Sequence, residues 1–98
     1  MVDISIKRDG DRAVFVLNGH ADYGSPDILC SALSMLTNML AITHNADGTL
    51  LDHKAGRGHE MIEAKDDTER ARAINDAAML GYIKLAENYP KNITYTSA

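Results

Sequence analysis

Ninety-eight residues hold one hydrophobic core and not two, so the chain reads as a single domain over its whole length, 1–98. With 45% hydrophobic and 24% charged residues it is neither disordered nor membranous, and no apolar run approaches the length of a membrane span. Ten Lys and Arg against fourteen Asp and Glu give a net charge of −4, which argues against a general phosphate-binding surface and against nucleic acid as a direct partner.

Val2, Ile4 and Ile6 alternate with Asp3, Ser5 and Lys7, the period of a strand with one wet face. Asp9-Gly10 is a hairpin signal, and Ala13 to Leu17 forms a second strand whose apolar residues on both faces place it inside the sheet or under an interface. Asn18, Gly19 and His20 follow directly, then a loop containing Gly24, Ser25 and Pro26. A long apolar helix is expected from Asp27 to Thr43, with Ser25 or Asp27 as its N-cap. Ile28, Leu29, Ala32, Leu33, Leu36, Met39 and Leu40 cover so wide an arc that a core element or a dimer contact is expected.

Asn45-Ala46-Asp47-Gly48 reads as the turn that ends this helix. Two shorter strands, Thr49 to His53 and His59 to Ala64, are joined by a flexible Ala55-Gly56-Arg57-Gly58. A capping box from Asp66 to Glu69 opens a second helix, in which Ala73, Ile74, Ala77, Leu80, Gly81, Lys84 and Leu85 form a stripe, widened by Ala78 and Ile83. Its small residues imply close packing. Pro90 ends the helix, and Ile93 to Thr96 makes a last strand.

The order ββαββα with a terminal β gives an α+β domain, an antiparallel sheet packed with two helices. Its small core makes a homodimer the expected assembly. The first residues alternate like a strand rather than presenting a basic start before an apolar stretch, so no signal peptide is expected. One cysteine forms no internal disulfide, and both features point to a reducing cytoplasm.

That cysteine, Cys30, follows His20 by ten residues and falls in the first turn of the expected helix. Unpaired backbone amides and the helix dipole favour a thiolate there, and an imidazole across the loop would accept the thiol proton and hold the ion pair. Asp27 either faces the helix amides or orients the imidazole as a third member would. Ser34, four residues beyond Cys30, shares its helical face, where the hydroxyl meets the site or bonds back to the helix carbonyl.

Each residue also has a plainer reading: a lone cysteine in an apolar helix is most often a small buried hydrophobe. His20, Cys30, His44, His53 and His59 lack the close spacing of local chelation, so no metal and no cofactor is expected. His53 and His59 flank a hairpin turn and read as solvated, and Met35, Met39, Met61 and Met79 read as core filler.

The run Gly19-His20-Ala21, a short loop, then Asp27-Ile28-Leu29-Cys30-Ser31-Ala32-Leu33-Ser34 resembles the signature of the ribosomal-processing cysteine proteases, the Prp family. The family pattern is Gly-His-Ala, a Gly-containing loop, then Asp-Ile-Val-Cys-Ala-Ala-Val-Ser. The resemblance implies a homodimeric bacterial or phage-borne cysteine endopeptidase. Its implied substrate is the N-terminal extension of large-subunit ribosomal protein twenty-seven, or a capsid or scaffold protein where a phage encodes it. It implies Cys30 as nucleophile and His20 as general base, with Gly19, Ala21, Asp27 and Ser34 shaping and supporting the pair. Asp22 to Pro26 is shorter than the loop of the best-known members, which bears on the sequence cleaved. The competing expectation is a non-catalytic module of the same fold that binds ribosomes or assembly partners.

Overall fold

The computed structural model describes residues 1–19 and 28–97. Seven elements follow one another: β1 (Val2–Asp9), β2 (Arg12–Gly19), α1 (Ile28–Asp47), β3 (Leu50–Gly56), β4 (His59–Lys65), α2 (Glu69–Asn88) and β5 (Ile93–Ser97). They form one five-stranded sheet in the order β3-β4-β2-β1-β5. The α+β class, the two helices and the ββαββαβ order are those expected from the sequence.

Strands joined by tight turns pair antiparallel, β1 with β2 and β3 with β4, and β4 also lies antiparallel to β2. The fifth strand corrects the expectation of a wholly antiparallel sheet, because β5 joins the other edge parallel to β1 and the sheet is mixed. A strand reached through a helix returns running in its original direction, and α2 carries the chain from β4 over the sheet to β5. The α1 crossover from β2 to β3 moves the opposite way along the sheet from a strand that runs the opposite way. Two right-handed crossovers so related return over the same face, which puts both helices on one side.

Alternation marks that side. Val2, Ile4, Ile6, Phe15, Leu17 and Ile62 are buried under Leu29, Leu33 and Leu40 of α1 and Ala78 and Tyr82 of α2, with the rings of Phe15 and Tyr82 6.1 Å apart. The doubly apolar β2 is the middle strand, and its other face, Val14 and Val16, is half-buried.

Four further expectations are corrected. Helix α1 runs four residues past Thr43, because Asn45 to Asp47 are its last turn and Gly48 the residue after it. Gly48 has φ +71°, its N–H donates to Asn45 O at 3.2 Å, and the Thr49 N–H donates to His44 O at 2.8 Å, the paired bonds of a left-handed helix stop. The loop between β3 and β4 shrinks to Arg57-Gly58, so Ala55 and Gly56 are strand residues. The cap of α2 is Thr68, whose Oγ1 accepts the Ala71 N–H at 3.0 Å, while Asp66 is used elsewhere.

The fourth correction concerns which residues are inside. Helix α2 buries Ala71, Asn75, Ala78 and Tyr82, whereas Ala73, Ala77, Leu80 and Lys84 are exposed. Alanine carries little facing information, and the true face is fixed by a polar and an aromatic residue that find partners inside. Met35 is 75% exposed and Met39 is exposed as well, so neither fills the core. The small-residue packing is real at Gly81, where a Cβ would stand 2.9 Å from Leu36 Cδ2 of α1.

The inner polar residues form one chain of hydrogen bonds. His44, fully buried, donates through Nε2 to Asn75 Oδ1 at 2.7 Å, and its Nδ1 lies 2.7 Å from Thr49 Oγ1. Asn75 Nδ2 donates to Lys65 O and to Asp66 Oδ1, both at 3.0 Å, so its oxygen is the atom facing the imidazole. Arg8 grips Asp66 with two N–H groups at 2.7 and 3.0 Å and also reaches Asp76. The Arg8 bond holds the Asp66 carboxyl below the usual carboxylate range, burial opposing and the Asn75 bond adding to it.

Candidate active site

The described part of helix α1 begins at Ile28, and Cys30 is the third of its described residues. The thiol is half-buried. Every residue that α1 buries lies on one face, Leu29, Leu33, Thr37, Leu40, Ala41 and His44, and Cys30, Ser34 and Thr37 follow one another along the flank of that face at helical spacing.

Those three residues form one wall of a pocket of about 170 Å³. Val2, Leu17 and Leu33 supply its apolar lining, and Gly19, Gly56, Gly58, His59 and Glu60 complete it from the ends of β2, β3 and β4. The space compares with an apolar cavity of about 150 Å³ that takes a benzene ring, so one large side chain fits.

The strand ends are held together there by the Gly19 N–H, which donates to Gly58 O at 2.8 Å. Gly19 has φ +103°, and a Cβ on it would lie 2.1 Å from Met1 O, so this corner admits no other residue. Three of the six expected site residues, Gly19, Cys30 and Ser34, thus meet in one pocket. His20, Ala21 and Asp27, with both candidate N-caps of α1, lie outside the described residues.

Ser34 resolves one of the open alternatives. Thr37 and Thr43 bond back to carbonyls one turn earlier, both at 2.7 Å, but the Ser34 hydroxyl makes no hydrogen bond among the described residues. It is exposed beside Cys30. Thr37 spends its proton on Leu33 O and therefore accepts from the Tyr82 hydroxyl, 2.7 Å away. Burial pushes Tyr82 up to about 12, the Thr37 bond opposing and the Glu60 charge adding, so its hydroxyl stays a donor across the working pH range.

Thr37, His59 and Glu60 were not among the expected site residues. Glu60 sits two positions before Ile62 and four before Ala64, both buried, so the period of two turns it toward the helices. Its Oε2 accepts from His53 Nε2 at 2.8 Å. His59 is exposed, as expected, but its Nδ1–H is engaged by Asn18 Oδ1. Asn18 follows buried Leu17, so by alternation the Asn18 and His59 side chains stand on the sheet face opposite the helices, and His59 borders the pocket only at the start of β4. The period-two signal for Glu60 was present in the sequence; the meeting of β4 with α1 was not.

Each described histidine of the considered ligand set has another partner, and among the described residues no three His, Cys, Asp or Glu side chains converge on a metal position. No described helix is long and apolar enough to cross a membrane.

A family model described as cysteine protease Prp matches residues 1–94. Among solved structures, the chain is similar to the ribosomal processing protease Prp of Staphylococcus aureus in complex with a covalently linked product peptide, with TM-score 0.85 and 20% identity over 100% of both chains. The same enzyme with a substrate peptide gives TM-score 0.83 and 21% identity, again over 100% of both. A Streptococcus mutans protein gives TM-score 0.78 and 26% identity over 99% of this chain and 93% of that one. No curated protein sequence matches the chain.

Proposed function

The chain belongs to the cysteine protease Prp family, and from that premise we propose that it is a cysteine endopeptidase in which His20 activates Cys30 for attack on a peptide carbonyl. The observation that carries this reading is the placement of Cys30, on α1, in a pocket shared with Ser34 and with Gly19, the covalent neighbour of His20.

The chemistry follows from those groups. His20 takes the Cys30 proton, and the thiolate, favoured by the start of the helix dipole, attacks the carbonyl carbon. Amide N–H groups of the first turn of α1 are the donors suited to the developing oxyanion. The imidazolium returns its proton to the leaving amine, and water then releases the acyl group from sulfur. Gly19, Ala21, Asp27 and Ser34 shape and support the pair.

The substrate we assign is the N-terminal extension of large-subunit ribosomal protein twenty-seven, or a capsid or scaffold protein if a phage encodes the chain. The enzyme works in the cytoplasm as a homodimer. The similar Staphylococcus aureus enzyme is a ribosomal processing protease, which supports a ribosomal substrate for this chain.

The test mixes the protein with the ribosomal protein of its host and, separately, with a neighbouring capsid protein, and locates any new N-terminus by mass spectrometry. One defined cut, lost in Cys30→Ala while the fold persists, is expected. Cleavage by Cys30→Ala would overturn the mechanism, and co-sedimentation with ribosomes without any cut would favour a binding module.

A further inference from the structure

Glu60 is the charged group of the pocket that the proposed chemistry does not use. Its side chain is 25% exposed, and His53 occupies only one of its oxygens, Oε2. Among the described residues Oε1 accepts no hydrogen bond. No lysine or arginine of the described residues pairs with it. Lys54 lies 4.0 Å from Asp52, Arg12 pairs with Glu63, Arg8 with Asp66 and Asp76, and Arg70 with Asp47. The segment 20–27, His-Ala-Asp-Tyr-Gly-Ser-Pro-Asp, contains neither lysine nor arginine.

A half-used carboxylate therefore stands in a recess with Val2, Leu17 and Leu33 as its apolar wall and Ser34 and Thr37 as polar neighbours, in the same pocket as Cys30. One further donor at Oε1 would complete the hydrogen bonding of this carboxylate. The complementary ligand has an apolar stem and a cationic tip. Lysine and arginine side chains bury their methylenes along apolar surface while the charge reaches a partner, and the recess has room for one such side chain.

Resting on the endopeptidase reading, we infer that Glu60 is a specificity-determining residue, which selects peptides carrying a lysine or arginine close to the scissile bond. The stem lies along Leu17 and Leu33, and the ammonium or guanidinium takes the open Oε1. His53 keeps the carboxylate turned into the pocket.

The experiment scans lysine against norleucine at each of the three positions on either side of the scissile bond in the cleaved peptide. It reads kcat/KM with the active protein and the dissociation constant by fluorescence anisotropy with Cys30→Ala. At one position lysine is expected to be preferred by about tenfold in both readouts, the size of one partly exposed charge-assisted bond. Glu60→Gln, which keeps an acceptor for His53 and nearly the same shape, should bring that ratio close to one without moving the acid limb of the pH profile.

The inference is overturned if no position prefers lysine, or if Glu60→Gln keeps the preference. It is also overturned if the variant slows all peptides alike and displaces the acid limb, the pattern of a group that orients His20. If nothing is cleaved but Cys30→Ala binds the lysine peptide more tightly and the Glu60→Gln, Cys30→Ala double variant does not, the assignment stands and the peptidase reading falls.

Discussion

The last turn of α1 holds His44 with both ring nitrogens matched, to Asn75 and Thr49, inside a chain of bonds that continues to Asp66 and Arg8. Toward the other end of the described helix, Cys30 shares a pocket with a Ser34 hydroxyl that makes no hydrogen bond among the described residues and with a Glu60 that has one open oxygen. Both ends of one helix thus carry polar, reactive residue types. What separates them is saturation: buried groups whose every donor and acceptor is used hold the fold, and groups left with spare capacity at a surface opening can meet a ligand.

Breaking the saturated end should cost stability and little else. His44→Ala leaves a cavity and strands the Asn75 oxygen, so a loss of about 3 kcal/mol is expected in urea unfolding. The alkylation rate of Cys30, at the other end of α1, should stay near the original value under conditions where the variant is folded.

The open end should respond in the opposite sense, through activity. Gly19→Ala forces a Cβ within 2.1 Å of Met1 O at a φ of +103°, and the strand end that precedes His20 must shift. A displacement of about 1 Å at a catalytic group costs about a hundredfold, so kcat/KM should fall by that order, more than the variant's change in thermal midpoint would suggest.

A smaller effect separates the two ends by pH. Asp66 has a folded pKa below its unfolded value, so its contribution is complete above the ordinary carboxylate range and is lost as pH falls through the folded pKa. Asp66→Asn should therefore be less stable by about 2 kcal/mol at neutral pH, a charged hydrogen bond's worth, and should show a shallower acid limb in its stability profile.

How far the sequence carries is visible in the same residues. The alternation at Val2, Ile4 and Ile6, the Asp-Gly turn and the apolar run of α1 located most elements, because each is a local pattern. The Cys30 site was legible as far as Gly19, Cys30 and Ser34, since strand end, helix start and helical spacing are local as well. What stayed hidden depends on pairing across the chain. The residues that complete the pocket, Thr37 and Glu60, are brought together only when β4 inserts beside β2 under α1. The buried face of α2 is not legible locally, because Asn75 and Tyr82 are buried by distant partners, His44 and Thr37. His44 illustrates the limit most plainly: as a residue type it belonged with candidate ligands, and only its neighbours make it structural.

The central claim is that the thiol at the open end is an activated nucleophile, and the pH dependence of its alkylation measures this directly. Iodoacetamide reaction of Cys30, the only cysteine, would be followed by mass in the unaltered protein and in His20→Ala. The account predicts an apparent thiol pKa well below the free value of about 8.5, returning toward it in His20→Ala. A value at or above about 8.5 that His20→Ala leaves unchanged would contradict it.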